Sequence, residues 1–209
     1  MISKAAVAVL AMMLIALVSV PSVAQTTRDR SESCRKFVQS FYDWYTPIAE
    51  KHSHERQLLG ASAARRAFHK DSADDIVIEQ RPELLSPELL KALVKDREAQ
   101  AKNPTRNVSV DLDPYTGVQD FENADAYSAG PPDFIKEVCS VPVYDVRGGV
   151  RSRRAVLIVR VRWAGGIWVL ADVEYNDPNL CGGVDIGCDL LGLLKSNEAY
   201  RSTVPNVAK

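Results

Sequence analysis

The alternation of hydrophobic and polar positions in residues 155–175 predicts a β-hairpin. Two runs rich in Val, Ile and Trp, residues 155–164 and 167–175, flank Gly165 and Gly166. Two glycines between β-rich runs are typical of a two-residue hairpin turn, because such turns need positive φ angles. This is the most strongly patterned part of the chain, and we expect the other elements to pack around it.

A diglycine turn fixes which residues face each other across the two strands. The opposed pairs on one face are then Trp163 with Trp168, Val161 with Leu170, Val159 with Asp172, and Leu157 with Glu174. That face is apolar with two acids at its far end. The other face is also largely apolar and carries Arg160 and Arg162, so both faces of the hairpin need a cover.

Helical periodicity dominates the first half of the chain. Apolar residues recur at steps of three and four within residues 34–51, namely at Phe37, Phe41, Trp44 and Ile48. This spacing predicts an amphipathic helix that buries an aromatic stripe. Ser31 or Ser33 is expected to cap its N-terminus. Pro47 is expected to kink or end it.

Further helices are predicted at residues 61–70, 74–80 and 87–102, and the last has the clearest start. Ser86 is suited to be its N-cap and Pro87 its first residue. Its expected buried stripe consists of Leu89, Leu90, Leu93 and Val94. Asn103-Pro104 ends the helical pattern.

Three strands in meander order follow, at residues 134–146, 154–163 and 167–175, and residues 189–195 form a short terminal helix. Pro142 lies within the first strand, which indicates an edge strand or a bulge. Helices followed by strands predict an α+β domain in which N-terminal helices pack on a curved antiparallel sheet.

The N-terminal residues 1–24 have the pattern of a secretory signal peptide. Lys4 precedes an apolar run, and Pro21 precedes the small-residue triplet that ends at Ala24. A membrane anchor that is not cleaved is the alternative. With cleavage, we expect a flexible N-terminus at 25–33, a single domain at 34–195, a C-terminal tail at 196–209, and a periplasmic or secreted protein without a membrane span.

The chain has four cysteines, and an even number in an exported protein predicts two disulfide bonds. Three pairings are possible. The short separation of Cys181 and Cys188 favours a local bond between them, which leaves Cys34 to pair with Cys139. Zinc sites need closer cysteine pairs, so we expect neither a metal nor a cofactor.

The charge balance argues against some classes of partner. The chain has 26 basic and 27 acidic side chains, for a formal net charge of −1. Binding to nucleic acid or to an anionic membrane calls for a basic excess or patch, so neither is implied as a partner.

Residues 111–122 form an acidic loop in which Asp111, Asp113 and Glu122 occupy positions one, three and twelve of a calcium-loop template. Positions five and six of that template need an oxygen ligand and a glycine, but here they are Tyr115 and Thr116. An ordinary Asx turn is the preferred interpretation.

Asp172 and Glu174 are the candidates for catalysis. In the hairpin register above they share a face with Trp163, Trp168 and Leu170, and a carboxylate sheltered by aromatic rings can have a raised pKa and act as a general acid or base. The alternative is that both acids are solvated or paired with arginines, among them Arg160, Arg153 and Arg154. We favour the alternative, and a shift of one residue in register would also move both acids to the other face.

Several segments together resemble a family of small exported bacterial proteins and lipoproteins of unknown function. The segments are Phe41-Tyr-Asp-Trp-Tyr45, Leu85-Ser-Pro-Glu-Leu-Leu90, Asp111-Leu-Asp-Pro-Tyr115 with Gln119-Asp120, and Trp168-Val-Leu-Ala-Asp-Val-Glu-Tyr175. The resemblance covers residues 35–195 and implies a cone-shaped fold of the nuclear transport factor 2-like (cystatin-like) type, in which a curved sheet wraps around helices. The family brings no established catalytic residues.

Three functions are compatible with these observations. We favour a non-catalytic exported protein that binds a small ligand or an envelope protein through the concave side of the sheet or through the acidic loop. The residues expected to make that contact are Asp111, Asp113, Tyr115, Gln119, Asp120, Trp163 and Trp168. The alternatives are a hydrolase or isomerase that uses Asp172 or Glu174, and an inhibitor of a wall-degrading enzyme or toxin.

Overall fold

The structure is a computed structural model, and it describes residues 23–58, 73–102, 112–118, 124, 126–177 and 188–203. By their internal contacts, residues Met1–Arg30 and Ser31–Lys209 form two units. Of the first unit only residues 23–30 are described, and they are helical. The predicted helix at 61–70 lies outside the described residues. No helix in the described ranges is long and apolar enough to span a membrane.

The fold is α+β, as predicted, with an antiparallel sheet of seven strands. The helices are α1 (Val23–Leu58), α2 (Ala73–Gln80), a short 3-10 helix (Pro82–Leu84), α3 (Pro87–Lys102) and α4 (Leu190–Thr203). The strands are β1 (Ala126–Ala129), β2 (Asp133–Ile135), β3 (Val138–Arg147), β4 (Val150–Arg151), β5 (Leu157–Ala164), β6 (Ile167–Tyr175) and β7 (Cys188–Asp189). The main path is β1-β3-β5-β6-β7, while β2 and β4 also pair with β3.

Helix α1 is longer than predicted at both ends. It begins at Val23, so neither Ser31 nor Ser33 is its N-cap, and the capping prediction is wrong. It also continues through Pro47 to Leu58, so of the two predicted alternatives, a kink or an end at the proline, the end is wrong. A proline inside a helix costs about 3 kcal/mol. Tyr45 and Ala49 are fully buried beside it, and this packing offsets the cost.

The buried stripe of α1 is turned by about one residue from the predicted one. Phe37, Trp44 and Ile48 are only half-buried. The buried apolar residues are Cys34, Val38, Phe41, Tyr42, Tyr45 and Ala49. Trp44, the largest aromatic side chain of the helix, therefore lies at the edge of the contact, and Phe41 and the two tyrosines lie at its centre.

Helices α2 and α3 agree with the sequence prediction. The Ser86 hydroxyl accepts a hydrogen bond from the Leu89 N–H at 3.2 Å, which confirms it as the N-cap of α3. Leu89 and Leu93 are buried as expected. The stripe then continues to a charged residue, Asp96, instead of to Val94. Arg201 of α4 explains this burial, because its guanidinium lies 2.6 Å from the Asp96 carboxylate.

A disulfide and two polar contacts join α1 to the sheet. We define the inner face of the sheet as the side that carries Cys139, Val161 and Leu170. The predicted Cys34–Cys139 bond is confirmed, with a Cα–Cα distance of 6.7 Å. The Trp168 indole N–H donates to the Ser33 hydroxyl at 3.0 Å. Cys188 is disulfide-bonded, but its predicted partner, Cys181, lies outside the described residues.

The second polar contact closes the edge of the sheet. Among the described strands β1 pairs only with β3, so alternate backbone groups of β1 point away from the sheet. The Gln39 side chain of α1 binds two of them: its amide nitrogen donates to the Tyr127 carbonyl at 3.0 Å, and its amide oxygen accepts from the Ala129 N–H at 2.8 Å. Gln39 therefore occupies the place that another strand would take.

Pro142 lies in an internal strand, so of the two predicted alternatives, an edge strand or a bulge, the edge strand is wrong. Strand β3 pairs with β5 on one side and with β1 and β2 on the other. Its Pro142 carbonyl accepts a hydrogen bond from the Gly130 N–H at 2.8 Å, at the break between β1 and β2. Since the nitrogen and carbonyl of a strand residue point to the same side, the missing N–H faces this break and costs no ladder bond.

Candidate functional site

The β5–β6 hairpin has the predicted register near its turn and a different register beyond it. Trp163 faces Trp168 and Val161 faces Leu170, as expected. A β-bulge then shifts the pairing by one residue at Ala171. After the bulge, the opposed pairs are Arg160 with Asp172, Val159 with Val173, Ile158 with Glu174, and Leu157 with Tyr175.

The bulge moves Asp172 and Glu174 to the outer face, away from the two tryptophans. The geometric argument for a carboxylate sheltered by Trp163 and Trp168 is therefore wrong. Without the bulge, both acids would enter the apolar inner face, where a charge that is not compensated costs several kcal/mol. With it, Val173 and Tyr175 are fully buried on that face instead.

Arg160 contacts both acids, as the favoured alternative predicted. Its guanidinium is hydrogen-bonded to the Glu174 carboxylate and lies 3.5 Å from Asp172. The second oxygen of Asp172 accepts the N–H groups of Val173 and Leu191, at 2.9 and 3.1 Å. Because Leu191 is in the first turn of α4, Asp172 ties that helix to the sheet.

Burial makes the Asp172 carboxyl group harder to ionise than that of an exposed aspartate. Its exposed fraction is 8%, and the loss of water around the carboxylate raises its pKa above the ordinary value, although the bond from Leu191 opposes the shift. Both carboxylate oxygens are already engaged within the protein. The arrangement therefore holds α4 in place against the sheet.

The acidic loop contains an Asx turn, as the sequence analysis preferred. One oxygen of Asp113 accepts the N–H groups of Tyr115 and Thr116, at 2.9 and 3.0 Å. The other accepts the Tyr45 hydroxyl at 2.5 Å. Burial raises the pKa of Asp113, and these hydrogen bonds oppose the rise. Asp111, Gln119, Asp120 and Glu122 lie outside the described residues.

Tyr115 is part of the core and is not available to a partner. It is fully buried, and its ring packs edge-on against Phe41 and Tyr45 of α1. Its carbonyl accepts the Tyr42 hydroxyl at 2.7 Å, and burial raises the pKa of Tyr42 well above the usual value. Of the predicted contact residues in this loop, the described ones thus fasten it to α1.

Three of the five large apolar residues that are exposed in the described part of the chain lie at the end of the sheet that holds the β2–β3 and β5–β6 turns, and the other two are Val150 and Tyr200. We call this surface the hairpin end and define it as Ile135, Lys136, Trp163, Gly165, Gly166 and Ile167. The two turns are neighbours, because Val138 pairs with both Ile135 and Arg162. The exposed fractions are 64% for Ile135, 51% for Trp163 and 49% for Ile167.

The Trp163 side chain packs against a buried tryptophan. Its ring packs edge-on against Trp168, with centroids 5.1 Å apart. Trp168 is buried and packs on Phe134 at 6.3 Å. The two predicted tryptophans therefore differ in role. Trp168 is buried beneath the hairpin end, and Trp163 is exposed on it.

Sequence analysis found Trp163 and the turn at Gly165 and Gly166, but it missed Ile135 and Lys136. Ile135 lies in β2, which was predicted only as the start of a longer strand. Lys136 adopts a positive φ of 60°, which a non-glycine residue rarely does. The pattern around residues 135–138 contains no Gly, Asn or Asp to mark a tight turn, so no signal pointed to it.

In comparisons with protein-family models, with curated protein sequences and with solved structures, no significant match to this chain was found. The resemblance to exported bacterial proteins of unknown function therefore stays a prediction.

Proposed function

We propose that this is an exported, non-catalytic protein that binds a protein of the cell envelope through the hairpin end. The observation that carries the proposal is the half-exposed indole of Trp163, mounted on a buried tryptophan. Exposing a large apolar side chain in this way has a cost in water, and Trp is enriched among the residues that dominate protein interfaces.

The rigidity of this surface supports the same function. The Cys34–Cys139 bond joins α1 to β3 directly beside it, and the Trp168 indole is held by Ser33. A contact surface that is already ordered loses little conformational entropy on binding. A partner could be a structural envelope protein, or a wall-degrading enzyme or toxin that the protein inhibits, since both would use the same surface.

The packing of α1 and residues 112–118 argues against a binding site on the concave side of the sheet. Aromatic rings of α1 and Tyr115 pack together there, and Tyr175 donates a hydrogen bond to the Pro114 carbonyl at 2.8 Å. The resemblance-based proposal of a cone-shaped, cystatin-like arrangement is supported by the long helix tied to the antiparallel sheet. In that arrangement, binding would occur outside the cone.

Replacing Trp163 by alanine tests the proposal. The immobilised wild-type protein should retain a specific envelope protein, and W163A should bind it about 30-fold more weakly, because truncating a central interface residue costs about 2 kcal/mol. Tyr200→Ala is the matched control, since Tyr200 is an aromatic residue of α4 with 62% exposure. Equal retention by W163A and wild type would contradict the proposal.

A further inference from the structure

Residues 146–171 contain six arginines and no acid, although Arg147, Arg160 and Arg162 form ion pairs with acids outside that stretch. Four of them lie close together at 147, 151, 153 and 154, and we call residues 147–154 the arginine loop. The net charge of the whole chain, −1, conceals this local excess. The concentration of charge is a property of one loop, which is why the composition gave no sign of it.

The fold places the arginine loop at the end of the sheet opposite the hairpin end. Strand β3 runs from Val138, beside the hairpin end, to Arg147, a span of about 30 Å at 3.3 Å per residue. Gly148 and Gly149 then form a tight turn with φ angles of 55° and 74°. Nothing lies within 4 Å of the position that a Cβ would take at either glycine, so the turn projects into open space.

The arginines of the loop remain accessible to an outside partner. The side chain of Arg147 is 62% exposed even though it pairs with Asp145 at 2.8 Å. The guanidinium of Arg151 lies over the Tyr144 ring at 4.3 Å. Arg153 and Arg154 are exposed, and no carboxylate in the described part of the chain forms an ion pair with either.

An apolar residue stands among these charges. Val150, directly after the diglycine turn, is 71% exposed. A valine at the tip of a projecting turn can enter the boundary between lipid headgroups and acyl chains, while arginines around it bind phosphate oxygens through paired N–H groups. An acidic protein surface would satisfy the arginines, but it would also need an apolar pocket for the valine, whereas a bilayer supplies both the phosphates and the apolar medium.

We propose that the arginine loop binds the surface of a phospholipid bilayer that contains anionic lipids. Arg147, Arg151, Arg153 and Arg154 contact headgroup phosphates, and Val150 enters the interface. The site is separate from the hairpin end, so it does not depend on the proposed protein partner. A domain held in this way presents the hairpin end about 30 Å from the membrane, where a second protein can reach it.

Vesicle binding tests this directly. The purified full chain should sediment with vesicles of phosphatidylcholine and phosphatidylglycerol more than with phosphatidylcholine alone. Each arginine near an anionic surface contributes about 1 kcal/mol, so R153Q/R154Q should lower the partition coefficient about 30-fold. Raising the salt from about 0.05 M to about 0.5 M should abolish most of the difference between the two lipid mixtures.

Two matched variants separate the loop from overall charge and from folding. Lys91→Gln with Lys102→Gln removes the same charge from exposed positions of α3 and should leave the anionic preference nearly intact. Val150→Ser keeps the charge and should weaken binding severalfold. Soluble glycerophosphate at millimolar concentration should not compete, because the surface potential acts on all four arginines together. Equal losses for the arginine and lysine pairs, or no preference for anionic vesicles, would overturn the proposal.

Discussion

The hydrogen bonds between Gln39 and strand β1 predict how much this side chain stabilises the edge of the sheet. Gln39→Ala removes one donor and one acceptor, and it leaves the Tyr127 carbonyl and the Ala129 N–H without their partner. A backbone group that loses its partner in a partly buried site costs about 1–3 kcal/mol. We therefore expect the free energy of unfolding to fall by about 2–4 kcal/mol, measured by urea denaturation.

Gln39→Glu should also destabilise the protein, but by an amount that depends on pH. An ionised carboxylate can accept from Ala129 but cannot donate to Tyr127, and Asp43 lies beside it, since the Gln39 amide donates to Asp43 at 2.8 Å. The folded state therefore raises the pKa of the introduced acid. Its penalty appears as the pH rises above the unfolded value of about 4.3 and is absent below it, where the protonated group donates to Tyr127.

The control is Ser40→Ala, one residue further along α1 at an exposed position. It should change stability by less than about 0.5 kcal/mol. Two results would refute the idea that the Gln39 side chain takes the place of a neighbouring strand. One is a loss of less than about 0.5 kcal/mol for Gln39→Ala. The other is a Gln39→Glu protein whose stability has the same pH dependence as that of wild type.

Two further predictions concern the disulfide and the buried acid. Cys34→Ser with Cys139→Ser should lower the free energy of unfolding by about 2–5 kcal/mol in chemical denaturation, because the bond closes a loop across 105 positions; unchanged stability would show that it adds nothing to the fold. Asp172→Asn should gain stability relative to wild type as the pH rises from 3 to 7. Since burial raises the pKa of Asp172 in the folded state, wild type loses stability as the pH rises through the unfolded value of about 3.9, whereas the asparagine does not titrate. A stability difference between the two proteins that stays constant from pH 3 to 7 would contradict that assignment.

Local signals in the sequence predicted the elements whose boundaries depend on neighbouring residues. Ser86 and Pro87 mark the start of α3 because capping involves only the first turn. The diglycine fixes the first opposed pairs of the hairpin for the same reason, since the turn type sets the register of the residues next to it. The α+β class follows from the order of these elements.

The bulge at Ala171 could not be read from the pattern, because both faces of the hairpin are apolar. A strand with one apolar face has a single acceptable register, whereas here a shift of one residue still buries valines on the inner face. What decides between the registers is the position of Arg160, which gives Asp172 and Glu174 a partner only on the outer face. The register therefore depends on the contacts of Arg160 with acids of the neighbouring strand, which the pattern of a single strand does not reveal.

The remaining surprises depend on residues far apart in the chain. Gln39 meets β1 almost ninety positions later, and Asp96 is buried because Arg201 of α4 reaches it. Neither residue differs in its local sequence from an ordinary exposed polar residue. The hairpin end likewise forms only when two separate turns lie side by side. The sequence therefore identified Trp163 and the diglycine turn, but not the surface to which they belong.

The most direct test of the central claim is site-specific photocrosslinking in intact cells. A photoreactive phenylalanine analogue at position 163 should yield one dominant adduct with an envelope protein, and the same analogue at position 200, also an exposed aromatic site, should not. Adducts of equal yield and identity at both positions, or none at position 163, would contradict the claim that the hairpin end is the binding surface.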